Sequence, residues 1–183
     1  MHNPLGFNFV LPHRGIVPDG TTPLSPEEQK IVDLVNNARK QAGCSVVLQV
    51  DPRLVAVTRA HSQDLADHPG PPGLWEKGEP GKQGHYGSDG SLSADRISKA
   101  VGYPGTENSY VEWFTGTAPA PSAERAFDWW LNKSKSGHKE NLLNCNHKTT
   151  GVGIAKGTGK IPAGQDNAGQ SATFYYYTQA FVD

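Results

Sequence analysis

The stretch Thr173-Phe174-Tyr175-Tyr176-Tyr177-Thr178-Gln179-Ala180-Phe181-Val182 is dominated by aromatic and β-branched residues, the composition of a β-strand. A second β-rich run, Gly151-Val152-Gly153-Ile154-Ala155, precedes it. The Gly, Asn, Asp and Gln residues between the two read as a long connection, so the pair predicts an antiparallel hairpin. Upstream the signal is helical. Ser25-Pro26-Glu27-Glu28 joins a serine cap, a first-turn proline and two acids at the positive end of the helix dipole. Ile31, Leu34, Val35 and Ala38 mark the buried face of that helix, and Gly43 ends it. After a short apolar stretch from Val46 to Val50, Asp51-Pro52 opens a helix with Leu54, Val57, His61 and Leu65 on one face. His68-Pro69-Gly70-Pro71-Pro72 breaks it.

Three shorter helices are expected: Ser91 to Ala100 with Ile97 inward, one capped by Ser122 with Ala126, Phe127, Trp130 and Leu131, and one started by Ser136 and running through Leu142 and Leu143. Tyr110, Trp113 and Phe114 form a strand-like run after Glu107-Asn108. Helices gathered first and strands last predict an α+β fold, with helices packed on an antiparallel sheet. Residues 1–24, with four prolines and three glycines and no sustained period, read as an irregular N-terminal arm, leaving 25–183 as one domain.

Seventeen basic against eighteen acidic side chains, and a pI near 6.6, give no electrostatic footprint for nucleic acid or an anionic membrane. No apolar run is long enough to span a bilayer. Met1-His2-Asn3-Pro4 lacks the regions of a signal peptide, so export is left open by this end of the chain. Cys44 and Cys145 are too far apart for a CxxC motif, leaving one long-range disulfide or two unrelated thiols.

Three fragments carry side chains suited to chemistry: Gly84-His85-Tyr86-Gly87-Ser88-Asp89-Gly90, Glu107-Asn108 and Ser136-Gly137-His138. His85 falls in the Gly- and Pro-rich loop of residues 70–90, and His138 in a first helical turn. Two neutral imidazoles and a carboxylate suit a divalent metal or a proton-transfer site if the fold unites them. Glu107 has a structural alternative as the partner of Arg96. His61 reads as core, and His13, His68 and His147 as surface. Ser88-Asp89-Gly90 and Ser91 form no nucleophile elbow and read as a turn before a helix. Trp113, Trp129, Trp130 and Tyr175 to Tyr177 read mainly as core and sheet-face residues, with one or two available to line a groove.

Several of these pieces, in this order, resemble a known family: Ala42-Gly43-Cys44, Ala60-His61-Ser62-Gln63-Asp64-Leu65-Ala66, His85-Tyr86-Gly87-Ser88-Asp89-Gly90, Gly102-Tyr103, Glu107-Asn108, Ser136-Gly137-His138, Asn141-Leu142-Leu143 and Gly151-Val152-Gly153. Together they are similar to the bacterial, SCP-like extracellular branch of the CAP superfamily, which groups cysteine-rich secretory, antigen 5 and pathogenesis-related proteins. The resemblance covers about residues 25 to 183. It implies a three-layer α-β-α sandwich with a central antiparallel sheet, secretion, and a Cys44–Cys145 disulfide of the kind an oxidising compartment preserves. It also implies a cleft in which His85, Glu107 and His138 hold a divalent metal, zinc first among the candidates. Many eukaryotic relatives carry a glutamate where this chain has Lys133.

Two functions follow as expectations. The first is a secreted monomer whose cleft takes a metal and a small apolar or glycan ligand and acts in extracellular interaction. The second is a zinc-dependent peptidase or esterase, with metal on His85 and His138 and Glu107 as base. A purely structural role in an envelope or spore coat is a third possibility.

Overall fold

A computed structural model describes residues 20–68 and 84–183 of the chain. The first helix, α1 (Pro26–Gln41), starts as expected: Glu28 N–H donates to Ser25 Oγ at 3.2 Å, and Ser25 N–H donates back to Glu28 Oε2 at 2.8 Å. Its inward face holds Ile31, Val32, Val35 and the guanidinium-bearing Arg39. Arg39 donates to the carbonyls of Asn144 (2.5 Å) and His147 (2.9 Å), fastening α1 to the segment that carries Cys145. Cys44 and Cys145 form a disulfide, with Cα atoms 5.1 Å apart.

The strand β1 (Gln49–Val50) leads into α2 (Pro52–Asp67), whose N-cap Asp51 accepts from Arg53 N–H at 2.8 Å. Then come α3 (Ser93–Val101), β2 (Thr106–Phe114), α4 (Ala123–Asp128), a π-helical turn (Trp129–Lys133), α5 (His138–Leu143), β3 (Thr149–Lys160) and β4 (Ser171–Val182). The C-terminal hairpin is β3 and β4. The sheet order is β1-β3-β4-β2, antiparallel except for the parallel β1/β3 pair that the short run before α2 contributes.

Helices cover both faces, completing an α+β, α-β-α sandwich. On one face α1, α4, the π turn and α5 bury Ile31, Val35, Trp130 and Leu142 against Tyr175, Tyr177 and Phe181. On the other, α2 and α3 bury Leu54, Leu65 and Ile97 against Phe174, Tyr176, Ala180 and Val182. Each fully buried Phe, Leu or Ile side chain contributes about 1.5–3 kcal/mol. Helix α2 lies unusually close to β3. A Cβ on Gly151 or Gly153 would stand 2.3 Å from backbone atoms of Leu54 or Arg59. Glycine is what allows that approach.

Several local expectations shift. Helix α3 starts two residues after Ser91, because Ser91 N–H donates to Asp89 Oδ1 in the preceding turn. Ser136 does not cap α5: its N–H donates to Ser134 Oγ, and Gly137, at φ 82°, takes the cap position. The strand β2 begins at Thr106 and so absorbs Glu107-Asn108. His147, expected at the surface, is buried. Its Nδ1 meets Asp183 Oδ1 at 2.6 Å and its ring stacks on Phe181, because the chain entering β3 crosses the end of the sheet there. Most of the expected N-terminal arm, including His13, and the first part of the 70–90 loop lie outside the described residues.

Candidate functional site

Glu107 and Asn108 are neighbours on β2, and strand alternation sends their side chains to opposite faces of the sheet. Each holds one of the two histidines. Glu107 Oε1 lies 2.9 Å from His85 Nδ1, which donates to the carboxylate. Asn108 Nδ2 donates to the backbone carbonyl of His138 at 3.0 Å, while its Oδ1 accepts from Asn141 Nδ2 at 3.0 Å, so the first turn of α5 is bound to the strand. The two imidazole centroids end up 6.3 Å apart. The three fragments singled out in the sequence therefore meet in space.

The Glu107 side chain is fully buried, and Arg96 Nη2 donates to its Oε2 at 3.2 Å. His61, expected as a core residue, is also buried there, with Nε2 3.8 Å from Glu107 Oε1. It donates from Nε2 to Gly84 O at 2.8 Å and so fastens the turn that presents His85. Gly84 itself has φ 77°, and a Cβ there would stand 2.9 Å from Ser109 Oγ. Burial alone would raise the Glu107 pKa. His61, His85 and Arg96 outweigh it and hold the carboxyl below its usual range. Burial lowers the His61 pKa below its usual range, against the pull of Glu107.

His138 Nδ1 lies 2.5 Å from Ser134 Oγ, a partner the sequence reading missed because only the π turn brings residue 134 back toward the helix start. Burial, reinforced by nearby His85, lowers the His138 pKa to about 4. Both Nδ1 atoms are occupied, and among the described residues Nε2 is the ring nitrogen without a hydrogen-bond partner in each histidine. Lys133 pairs on the surface with Asp128 at 2.7 Å. Among the described residues no three His, Cys, Asp or Glu side chains form a metal-holding group.

His85 and His138 line one end of a cleft of about 490 Å³, within the range of small-ligand sites. The rest is mainly apolar wall. Ser109, Tyr110, Val111, Glu112 and Trp113 run along it, with Leu65 and Tyr176 on one side and Trp129 on the other. Trp129 stacks on Tyr110, with centroids 5.6 Å apart, whereas Trp130 is fully buried and donates from Nε1 to Ser109 O at 3.2 Å. Behind Tyr110, Glu112 accepts from Arg125 Nε at 2.7 Å and from the Tyr177 hydroxyl at 2.6 Å. Alternation along β2 was the available signal for that inward acid. Ser88 donates to Asp64, so the Ser88-Asp89-Gly90 segment is turn structure, as expected.

Helices on both faces of a four-stranded, mostly antiparallel sheet, with a cleft at the sheet edge, define a three-layer α+β domain. The model of the cysteine-rich secretory protein family, CAP, matches residues 32–181, and the chain belongs to that family. Among solved structures it is similar to MpPR-1i, at 13% identity and TM-score 0.44 over 87% of this chain and 90% of that one. It is also similar to venom allergen-like protein 4 of Schistosoma mansoni, at 11% identity and TM-score 0.40 over 84% and 88%. A search of curated proteins returned no match.

Proposed function

We propose that this CAP-domain protein works by binding in the cleft: a divalent metal, zinc first, on the imidazoles of His85 and His138, beside a small apolar or glycan ligand on the aromatic wall. The observation that carries this reading is the matched support of the two rings, each held through Nδ1, by Glu107 or by Ser134, with Nε2 left as the donor nitrogen. Metal-binding histidines are commonly oriented in this way by a carboxylate or another polar group on the second nitrogen. The donor set fits a two-imidazole site completed by water or ligand oxygen, and a bound ion would supply a Lewis-acidic anchor at that end of the cleft.

In this reading Glu107 orients His85 rather than ligating the metal, because both its oxygens are engaged. The same engagement leaves no free carboxylate beside the imidazoles among the described residues, which favours binding over hydrolysis. Secretion accords with the Cys44–Cys145 disulfide, which an oxidising compartment preserves, and the resemblance carried by the motif series supports the bacterial branch of the family.

Calorimetric zinc titration of the wild type, His85→Ala and His138→Ala tests the metal. The expected result is a single site weakened at least about tenfold by either substitution. Equal affinity in all three proteins would remove it.

A further inference from the structure

The cleft runs along β2, an edge strand of the sheet among the described residues. Asp51 N–H donates to Thr150 O at 2.9 Å, so Thr150 faces β1 and the next residue, Gly151, faces β4. Gly151 pairs with Ala180, and Gln179 pairs with Asn108. Alternation then turns the backbones of Asn108, Tyr110 and Glu112 toward β4, and those of Ser109, Val111 and Trp113 away from it. The Trp130 indole reaches the same result independently, since it bonds to the outward carbonyl of Ser109. Beyond that capped position, the N–H and C=O of Val111 and Trp113 point outward, and no described residue bonds to them on that side.

The cleft is lined by the consecutive residues 109 to 113. A cavity on a sheet face touches alternate residues, whereas one at a sheet edge touches them all. The unpaired backbone groups therefore open into the cleft.

We propose that the ligand of this cleft is an extended peptide segment that adds to β2 as a further strand, bonding through Val111 and Trp113. A free carbonyl and amide at alternate positions match the backbone of an extended chain, whatever its sequence. Successive side chains of such a strand would fall alternately beside Trp129 and Tyr110 and beside Leu65 and Tyr176. The side chains flanking these positions, Trp129 and Tyr110 on one side and Leu65 and Tyr176 on the other, are large and mainly apolar, so the strand is rich in β-branched and aromatic residues. The inference rests on the cleft being the binding site and is independent of the metal.

The probe is a pool of capped heptapeptides alternating Thr with Val, Tyr or Phe, read by amide hydrogen exchange and by fluorescence of the cleft tryptophans. In the free protein the amides of Val111 and Trp113 should exchange at least about tenfold faster than those of Tyr110 and Glu112. Peptide should slow them at least about tenfold. The same pool N-methylated at alternate residues should bind about tenfold more weakly, the loss of roughly one hydrogen bond. Val111→Pro removes an outward N–H without touching the β4 ladder, and should weaken binding about tenfold while circular dichroism stays unchanged.

Equal binding of methylated and unmethylated pools overturns the proposal, as does protection of Val111 and Trp113 in the free protein, or no peptide binding at millimolar concentration. A chitooligosaccharide that displaces nothing supports the peptide, and one that binds where the pool does not overturns it. Zinc binding without peptide binding would sink strand addition and leave the metal reading intact. Peptide binding by a protein that takes no zinc would do the reverse.

Discussion

The hydrogen bond from His85 Nδ1 to Glu107 Oε1, at 2.9 Å, fixes which nitrogen of His85 faces the cleft. It also joins a fully buried carboxylate to a guanidinium and a second imidazole. Removing that carboxylate leaves Arg96 partly buried without its counter-charge. Glu107→Ala should therefore destabilise the protein by about 3–5 kcal/mol, the usual result of breaking a buried pair. Glu107→Gln should cost less, since it keeps an acceptor. Urea unfolding of both variants measures this, and a loss below 1 kcal/mol for Glu107→Ala would contradict the buried network.

The His138 imidazole should titrate near pH 4 by NMR, since burial and then nearby His85 disfavour its charged form. In the unfolded chain it titrates near 6.5. Between those values the unfolded state binds more protons, so this group's contribution to stability is full above pH 6.5 and is lost as pH falls toward 4. A midpoint near 6.5 in the folded protein would mean an exposed ring.

The Cys44–Cys145 bridge spans 101 residues. In the chain-entropy picture a loop of this size is worth up to about 4.7 kcal/mol, and losing a native disulfide typically costs 2–5. The double variant Cys44→Ser with Cys145→Ser should lose stability in that range. Unreduced protein should show no alkylatable thiol by mass spectrometry, and two after reduction.

Gly153→Ala would put a methyl 2.3 Å from the backbone nitrogen of Arg59, and Gly90→Ala would meet no atom within 4 Å. The first should lose about 3 kcal/mol or fail to fold through overpacking between α2 and β3. The second bears only the strain of φ 83° at Gly90, about 1–2 kcal/mol. Thermal unfolding of the two variants should rank them in that order.

Much of this architecture was legible in the chain because its signals are local. The Ser25 cap, the Asp51 cap and the β-rich run at 173–182 each act within a few residues. The histidines and Glu107 were legible as chemistry, since glycine and small polar neighbours mark them out. What escaped was long-range. His147 meets Asp183 and Arg39 meets Asn144 only because distant segments cross, and neither residue type advertises burial. Arg39 sits on the apolar side of α1, four residues after Val35, where the period points inward but a cation reads as surface. The Ser134 contact depends on a departure from regular helix geometry that no hydropathy pattern encodes.

That departure has its own consequence. In the π turn Ser134 N–H bonds to Trp129 O at 2.8 Å, spanning one residue more than an α-helix would. The insertion lets adjacent tryptophans divide the work, Trp130 into the core and Trp129 onto Tyr110 at the cleft. Deleting a single residue from 129–133 would remove the extra residue of the turn and with it the placement of Ser134 beside His138. The shape of this cleft wall is thus encoded in the count of residues as much as in their kind, and the segment should tolerate substitution far better than a one-residue gap.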